Sequence, residues 1–109
     1  MIAFETQVPA FEVGQLVKHR RYSYRGVVVA HDPQCRAPDD WYQANQTQPD
    51  RQQPWYHVLV HGSSSVTYAA QTSLEADDDV TPVEHPLLDT FFSDFDDGHY
   101  VRNERPFPG

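Results

Sequence analysis

The tightest constraint on this chain is the run Pro54, Trp55, Tyr56, His57, Val58, Leu59, Val60, His61, closed by Gly62. Two aromatics and three aliphatics between a proline and a glycine predict a short β-strand. Alternation sends Tyr56, Val58 and Val60 to one face and Trp55, His57, Leu59 and His61 to the other, and the aliphatic run suits the middle of a small sheet. Gly62, Ser63, Ser64 and Ser65 then supply a hairpin turn, with Val66, Thr67, Tyr68, Ala69 and Ala70 as the returning strand.

The preceding residues give an incoming hairpin. Gly14 bends the chain into Leu16, Val17, Lys18 and His19, a first strand; a polar and aromatic stretch follows, and after Gly26 the β-branched run Val27, Val28, Val29, Ala30 makes a buried second strand. Asp32 and Pro33 end it, because proline cannot donate to a ladder. Residues 34–53 form a long Gln-, Asp- and Pro-rich excursion, in which Asp39 and Asp40 open one helical turn and Trp41 docks as a packing anchor. After the returning strand, residues 71–75 suit a 3₁₀ turn with Leu74 inward, and Asp77, Asp78 and Asp79 mark an exposed turn. Prolines keep the chain extended to Pro86; from there Leu87, Leu88, Phe91, Phe92 and Phe95 recur at helical spacing, predicting a short amphipathic helix that ends at Gly98. The expected fold is mostly β, a small barrel with a long Trp-containing loop and one short C-terminal helix. Residues 1–10 read as a flexible leader, 11–100 as the domain and 101–109 as an extended tail.

A length of 109 residues suits one modest core. The single cysteine, Cys35, excludes an internal disulfide and fits a reducing, cytoplasmic setting. No signal peptide or membrane span is legible, so no membrane partner is expected. The net charge of −8 opposes long-range attraction to nucleic acid. Its distribution is uneven: Lys18, Arg20, Arg21, Arg25 and Arg36 crowd residues 14–36 against Asp32 alone, whereas residues 74–97 hold nine acids and no Lys or Arg.

Catalytic and metal chemistry find little support. On a strand, His57 and His61 would lie about 13 Å apart, too far to share an ion; cross-strand pairing of His57 with His19 or His31 stays open, but no zinc-type spacing backs it. Asp94, Phe95, Asp96, Asp97 and Gly98 miss the calcium-loop pattern, since the glycine comes one place early and Arg105 stands where a bidentate Glu is needed; a solvated helix end is the better reading. Neither the serines nor Cys35 sit in a nucleophile motif, and no glycine-rich phosphate loop is present. A non-enzyme without metal or cofactor is expected. Binding remains, and the stretch containing Lys18, Arg20, Arg21, Tyr22, Tyr24 and Arg25 interleaves cations with aromatics, chemistry that serves phosphate contact and stacking or, equally, a protein interface. Given the acidic total, a protein partner is favoured over DNA.

In order, the motifs FEVGQLVKHRRYSYRGVVVAHDP, PWYHVLVHG, TYAAQTSLE and HPLLDTFF resemble the HspQ/YccV-like family, also called the hemimethylated-DNA-binding domain. Its markers here are Gly14, His19, Gly26, Asp32, Pro33, Trp55, Tyr56, His57, Tyr68, His85 and Pro86. The resemblance implies an SH3-like barrel and two non-catalytic roles: heat-shock factors acting through protein contacts, with a protease or client, in regulated proteolysis, and binding of hemimethylated DNA. Where the family usually shows TYVAEENL, this chain lacks an acid and an amide around Gln71 and Ser73. Edge strands of a small barrel can pair between chains, so a monomer or a small homo-oligomer is expected.

Overall fold

The structure is a computed structural model that describes residues 8–45 and 47–108. Its strands are β1 (Leu16–His19), β2 (Arg25–Asp32), β3 (Trp55–Val60), β4 (Val66–Ala70), β5 (Leu74–Ala76), β6 (Phe92–Asp96) and β7 (His99–Arg102), with one-and-a-half turns of helix α1 (Asp39–Ala44) and a single turn α2 (Leu88–Phe91). The first five strands make an antiparallel sheet in the order β4-β3-β2-β1-β5, and β6-β7 form a separate hairpin. The fold is mostly β, as the sequence predicts.

The sheet must coil. A flat five-stranded sheet would hold its edges about 19 Å apart, yet the edge strands β4 and β5 are joined only by the 3₁₀ turn Gln71–Ser73. That turn brings the two edges together at one corner, but no ladder joins β4 to β5 among the described residues. The barrel expected from the sequence is therefore an open one.

Both faces of the coiled sheet are buried, which explains why Val27, Val28 and Val29 form an unbroken apolar run. One face packs Val17, Val28, Tyr56, Val58, Ala69 and Leu74 into the interior of the coil, with Phe11 laid across it. On the other, Leu16, Val27, Val29 and Leu59 are covered by Val83, Phe91, Phe92 and Tyr100. The alternation read along β3 holds, with Tyr56 and Val58 inside the coil and Leu59 on the opposite face. Two glycines permit these close approaches. A β-carbon on Gly26 would overlap the Leu59 carbonyl, and Gly14, at φ +96°, lies against the Tyr100 carbonyl, so the C-terminal hairpin can clamp β1.

The C-terminal half departs from expectation. The helix predicted from Pro86 to Gly98 is only the one turn of α2; from Phe92 the chain is β-strand. Asp97 and Gly98 take positive φ, 50° and 80°, and turn β6 tightly into β7, where the sequence reading put a helix end. An Asp-Gly pair of this kind is the residue signal for a two-residue hairpin. The tail is extended, but it begins inside β7 and Phe107 docks on Phe91 and His57. Of the leader, residues 1–7 lie outside the described residues, while the Ala10 amide donates to the Tyr56 hydroxyl at 3.1 Å and to Gln71 Oε1 at 2.8 Å.

Candidate functional site

The basic and aromatic stretch is the connection from β1 to β2, and His19 organises it. Its Nδ1 accepts the backbone amides of Arg21 and Tyr22, both at 3.1 Å, and its ring stacks on Tyr22 and packs against Tyr24. Burial, helped by the Arg21 charge, holds His19 below the ordinary histidine value of 6.5 and keeps that nitrogen free to accept. The six residues expected here as a surface do not stay together as one. Arg25 is withdrawn: its Nε donates to Asp77 at 2.7 Å, its Nη2 to the carbonyls of Asp79 and Thr81, and its side chain is only 16% exposed. Arg20 reaches Glu75 and the Leu74 carbonyl. Tyr24 turns inward to Thr67, its hydroxyl 2.8 Å from Oγ1. Lys18, Arg20, Arg21 and Tyr22 remain exposed, Tyr22 by 51%, with the Arg21 guanidinium 5.7 Å from the Tyr22 ring.

These contacts correct the picture of a chain with two charged ends. Because β5 pairs with β1, Glu75 and Asp77 come to the cations of residues 20–25, and two of the four cations of the basic segment, Arg20 and Arg25, are paired from within. A cleft of about 420 Å³ opens beside this turn, between Tyr22, Tyr24 and Thr67 on one side and Asn45, Thr47 and Pro49 of the excursion on the other.

A second recess lies where the excursion leaves β2. Asp32, Arg36, Trp41, His57 and Tyr68 line about 580 Å³. Tyr68 and His57 are cross-strand partners with ring centres 4.5 Å apart, and Trp41 meets Tyr68 edge-on at 5.8 Å and Trp55 at 6.1 Å. Thus the Trp41 ring is indeed docked on the sheet, yet the residue stays 39% exposed. A bulge decides what faces these rings. Val28 pairs with Val58 but Ala30 with His57, so one residue of β2 is extra at Val29. The extra residue shifts parity and puts Asp32 on the face of Trp55 and His57, where an unbroken ladder would have put it on the opposite face. There the Tyr68 hydroxyl donates to Asp32 Oδ2 at 2.7 Å, His57 Nε2 stands 3.6 Å from the same oxygen, and Arg36 Nε lies 3.5 Å from Oδ1. Burial, with Asp32 as acceptor, pushes the Tyr68 phenol far above its usual value; burial lowers His57 although Asp32 pulls the other way. The sequence reading treated Asp32, His57 and Tyr68 as structural markers and Trp41 as an anchor, and no spacing in the sequence joins them.

The other markers are structural. Tyr56 is buried with its hydroxyl tying down residues 10 and 71, and Trp55 is buried with its indole donating to the Asp50 carbonyl at 3.2 Å. His85 bridges segments, its Nε2 2.9 Å from the Ser65 carbonyl and its Nδ1 accepting from Leu87, while Pro33 and Pro86 are exposed at element ends. His57 faces Ala30 and Tyr68, so β-pairing brings it neither to His19 nor to His31. Among the described residues no three His, Cys, Asp or Glu side chains gather as a metal site, and no helix is long and apolar enough to cross a membrane.

An open, coiled five-stranded sheet with a capped hairpin on its outer face and an aromatic recess beside its long loop defines a small SH3-like β domain. The family model described as "Hemimethylated DNA-binding protein YccV like" matches residues 9–99, and the chain belongs to this YccV-like family of DNA-binding domains. It is also similar to the F-box only protein 21 of Homo sapiens, of Pongo abelii and of Mus musculus, each 33% identical over 96 residues that cover 85% of this chain. The chain spans 15% of the length of these relatives.

Proposed function

We propose that this domain is a non-catalytic adaptor that works through protein contacts, of the kind used in stress response and regulated proteolysis, in a cytoplasmic setting. The observation that carries the reading is the partial internal neutralisation of the basic segment. Arg25 is withdrawn into its pair with Asp77 and Arg20, itself 58% exposed, is engaged by Glu75, so Lys18 and Arg21 are the turn's cations without an acid partner among the described residues, on a chain of net charge −8. Two phosphate contacts give little affinity at physiological salt. The expected protein partner is a protease or its client, met by the domain at residues 11–100 as a monomer or small homo-oligomer.

A second reading, binding of hemimethylated DNA, is favoured by the family's description and by the exposed Arg21–Tyr22 pair, which offers one phosphate contact beside one stacking ring. Gel-shift titration with hemimethylated, fully methylated and unmethylated duplexes at two salt concentrations separates the two. The adaptor reading expects weak binding, equal for all three and lost at the higher salt; tight binding to the hemimethylated duplex alone would overturn it. In parallel, the protein is expected to change the half-life of an unstable substrate incubated with a purified ATP-dependent protease, and no change at saturating concentration counts against the proposal.

A further inference from the structure

We infer that the recess lined by Asp32, Trp41, His57 and Tyr68 is a binding site for the ammonium group of a lysine side chain presented by a protein partner. This rests on the protein-partner reading and gives it a location and a chemistry.

Three observations lead there. The walls are aromatic: the Tyr68 ring packs between His57 and Trp55, Trp41 meets Tyr68 edge-on, and Trp41 keeps enough exposure to be met from solvent. The exposed indole of Trp41 can attract a cation through the ring quadrupole. The floor holds a carboxylate, Asp32, oriented by the Tyr68 hydroxyl and delivered to this face by the β2 bulge. Asp39 and Asp40 lie exposed in the first turn of α1 next to Trp41, Asp39 facing Arg51 at 3.6 Å.

The third observation is that a cation of the chain itself already stands there. Arg36 approaches Asp32 Oδ1 at 3.5 Å with a side chain 63% exposed, a loose and screened pair that an incoming cation can displace. The accounting of oxygens selects the ligand. A guanidinium binds best with two parallel bonds to both carboxylate oxygens, and at Asp32 it would have to share Oδ2 with the Tyr68 hydroxyl and crowd His57 Nε2, 3.6 Å from the same oxygen. A compact ammonium needs one oxygen and can lie against the rings. Burial keeps His57 short of its proton near neutral pH, so it adds no competing charge.

The test is a titration of the isotopically labelled 109-residue protein with a short peptide carrying one central lysine, with its acetyl-lysine counterpart, and with adenosine monophosphate. The lysine peptide should shift the resonances of the Trp41 indole, Tyr68 and His57, and acetylation, which removes the charge, should weaken binding about tenfold. Trp41→Ala, a change on an exposed helix, should abolish the effect. Arg36→Ala should tighten binding several-fold by removing the resident cation, a gain that a merely structural role for Arg36 does not produce. Equal binding of the acetylated peptide, weaker binding by Arg36→Ala, or the nucleotide shifting these resonances while the lysine peptide does not would each overturn the assignment. No partner protein is needed, so lysine binding without any effect on proteolysis would sink the adaptor reading alone, and the converse would sink this site alone.

Discussion

His19 supports the turn at residues 19–24 through a ring nitrogen that must stay unprotonated, since Nδ1 accepts two backbone amides. Its pKa in the folded protein lies below the value of 6.5 it has in an unfolded chain, and that of His57 is lowered in the same direction. Between the two values the unfolded chain takes up protons that the folded chain refuses. Stability therefore rises with pH in that range: it is complete above about pH 6.5 and declines as pH falls below it. Thermal unfolding followed from pH 7.5 to 5 should show a falling Tm. In His19→Asn, whose Oδ1 can still accept from the turn, the protein should lose about 1 kcal/mol at pH 7.5 with the ring stacking, and its pH dependence should flatten to the share left by His57. A mutant with an unchanged slope would show that His19 does not carry this effect. The sequence displayed His19 as a marker but gave no sign of which atoms it served.

At the scale of elements, the decisive irregularity is the β2 bulge, and the C-terminal hairpin secures it. Arg102 of β7 donates from Nε to the carbonyl of Val29 at 2.9 Å, and its guanidinium lies 5.1 Å from the Phe91 ring. The extra residue at Val29 thus finds a partner outside its own sheet, as a buried carbonyl must. Arg102→Met, which keeps the stem but removes the donors, should cost about 1–3 kcal/mol in chemical denaturation and move the resonances of Asp32 and His57, far along the chain from the substitution. Unmoved resonances would mean that the bulge holds its shape unaided. Elements with local signals were legible: the valines of β2, the β3–β4 hairpin with its Gly-Ser turn, the 3₁₀ turn and α1. The β6–β7 hairpin was not, because Leu87, Leu88, Phe91, Phe92 and Phe95 match helical spacing equally well, and only the Asp97-Gly98 pair argued for a turn. Tertiary packing overrode the periodicity: Phe91, Phe92 and Tyr100 cover Leu16, Val27, Val29 and Leu59.

For the whole molecule, the arrangement of charge is the main consequence of folding. The cations and acids that seem to define opposite ends of the chain are joined by β1–β5 pairing, and Arg25 and Asp77, 16% and 9% exposed, form a nearly buried ion pair. Removing either partner alone leaves an uncompensated buried charge. Arg25→Met and Asp77→Leu should each cost about 3 kcal/mol, and the double variant clearly less than the sum of the two. Additive losses in a denaturation double-mutant cycle would show that the pair is not coupled. By itself the sequence determined the β character, the central strand with its two faces, the family and the exclusion of an internal disulfide, because alternation, turn residues and cysteine count act locally or in sum. Tertiary structure alone decided that half of the basic turn's cations are paired with acids and that Asp32, Trp41, His57 and Tyr68 share one recess. Those outcomes depend on strand order and on a one-residue bulge, which fix partners that no spacing along the chain encodes.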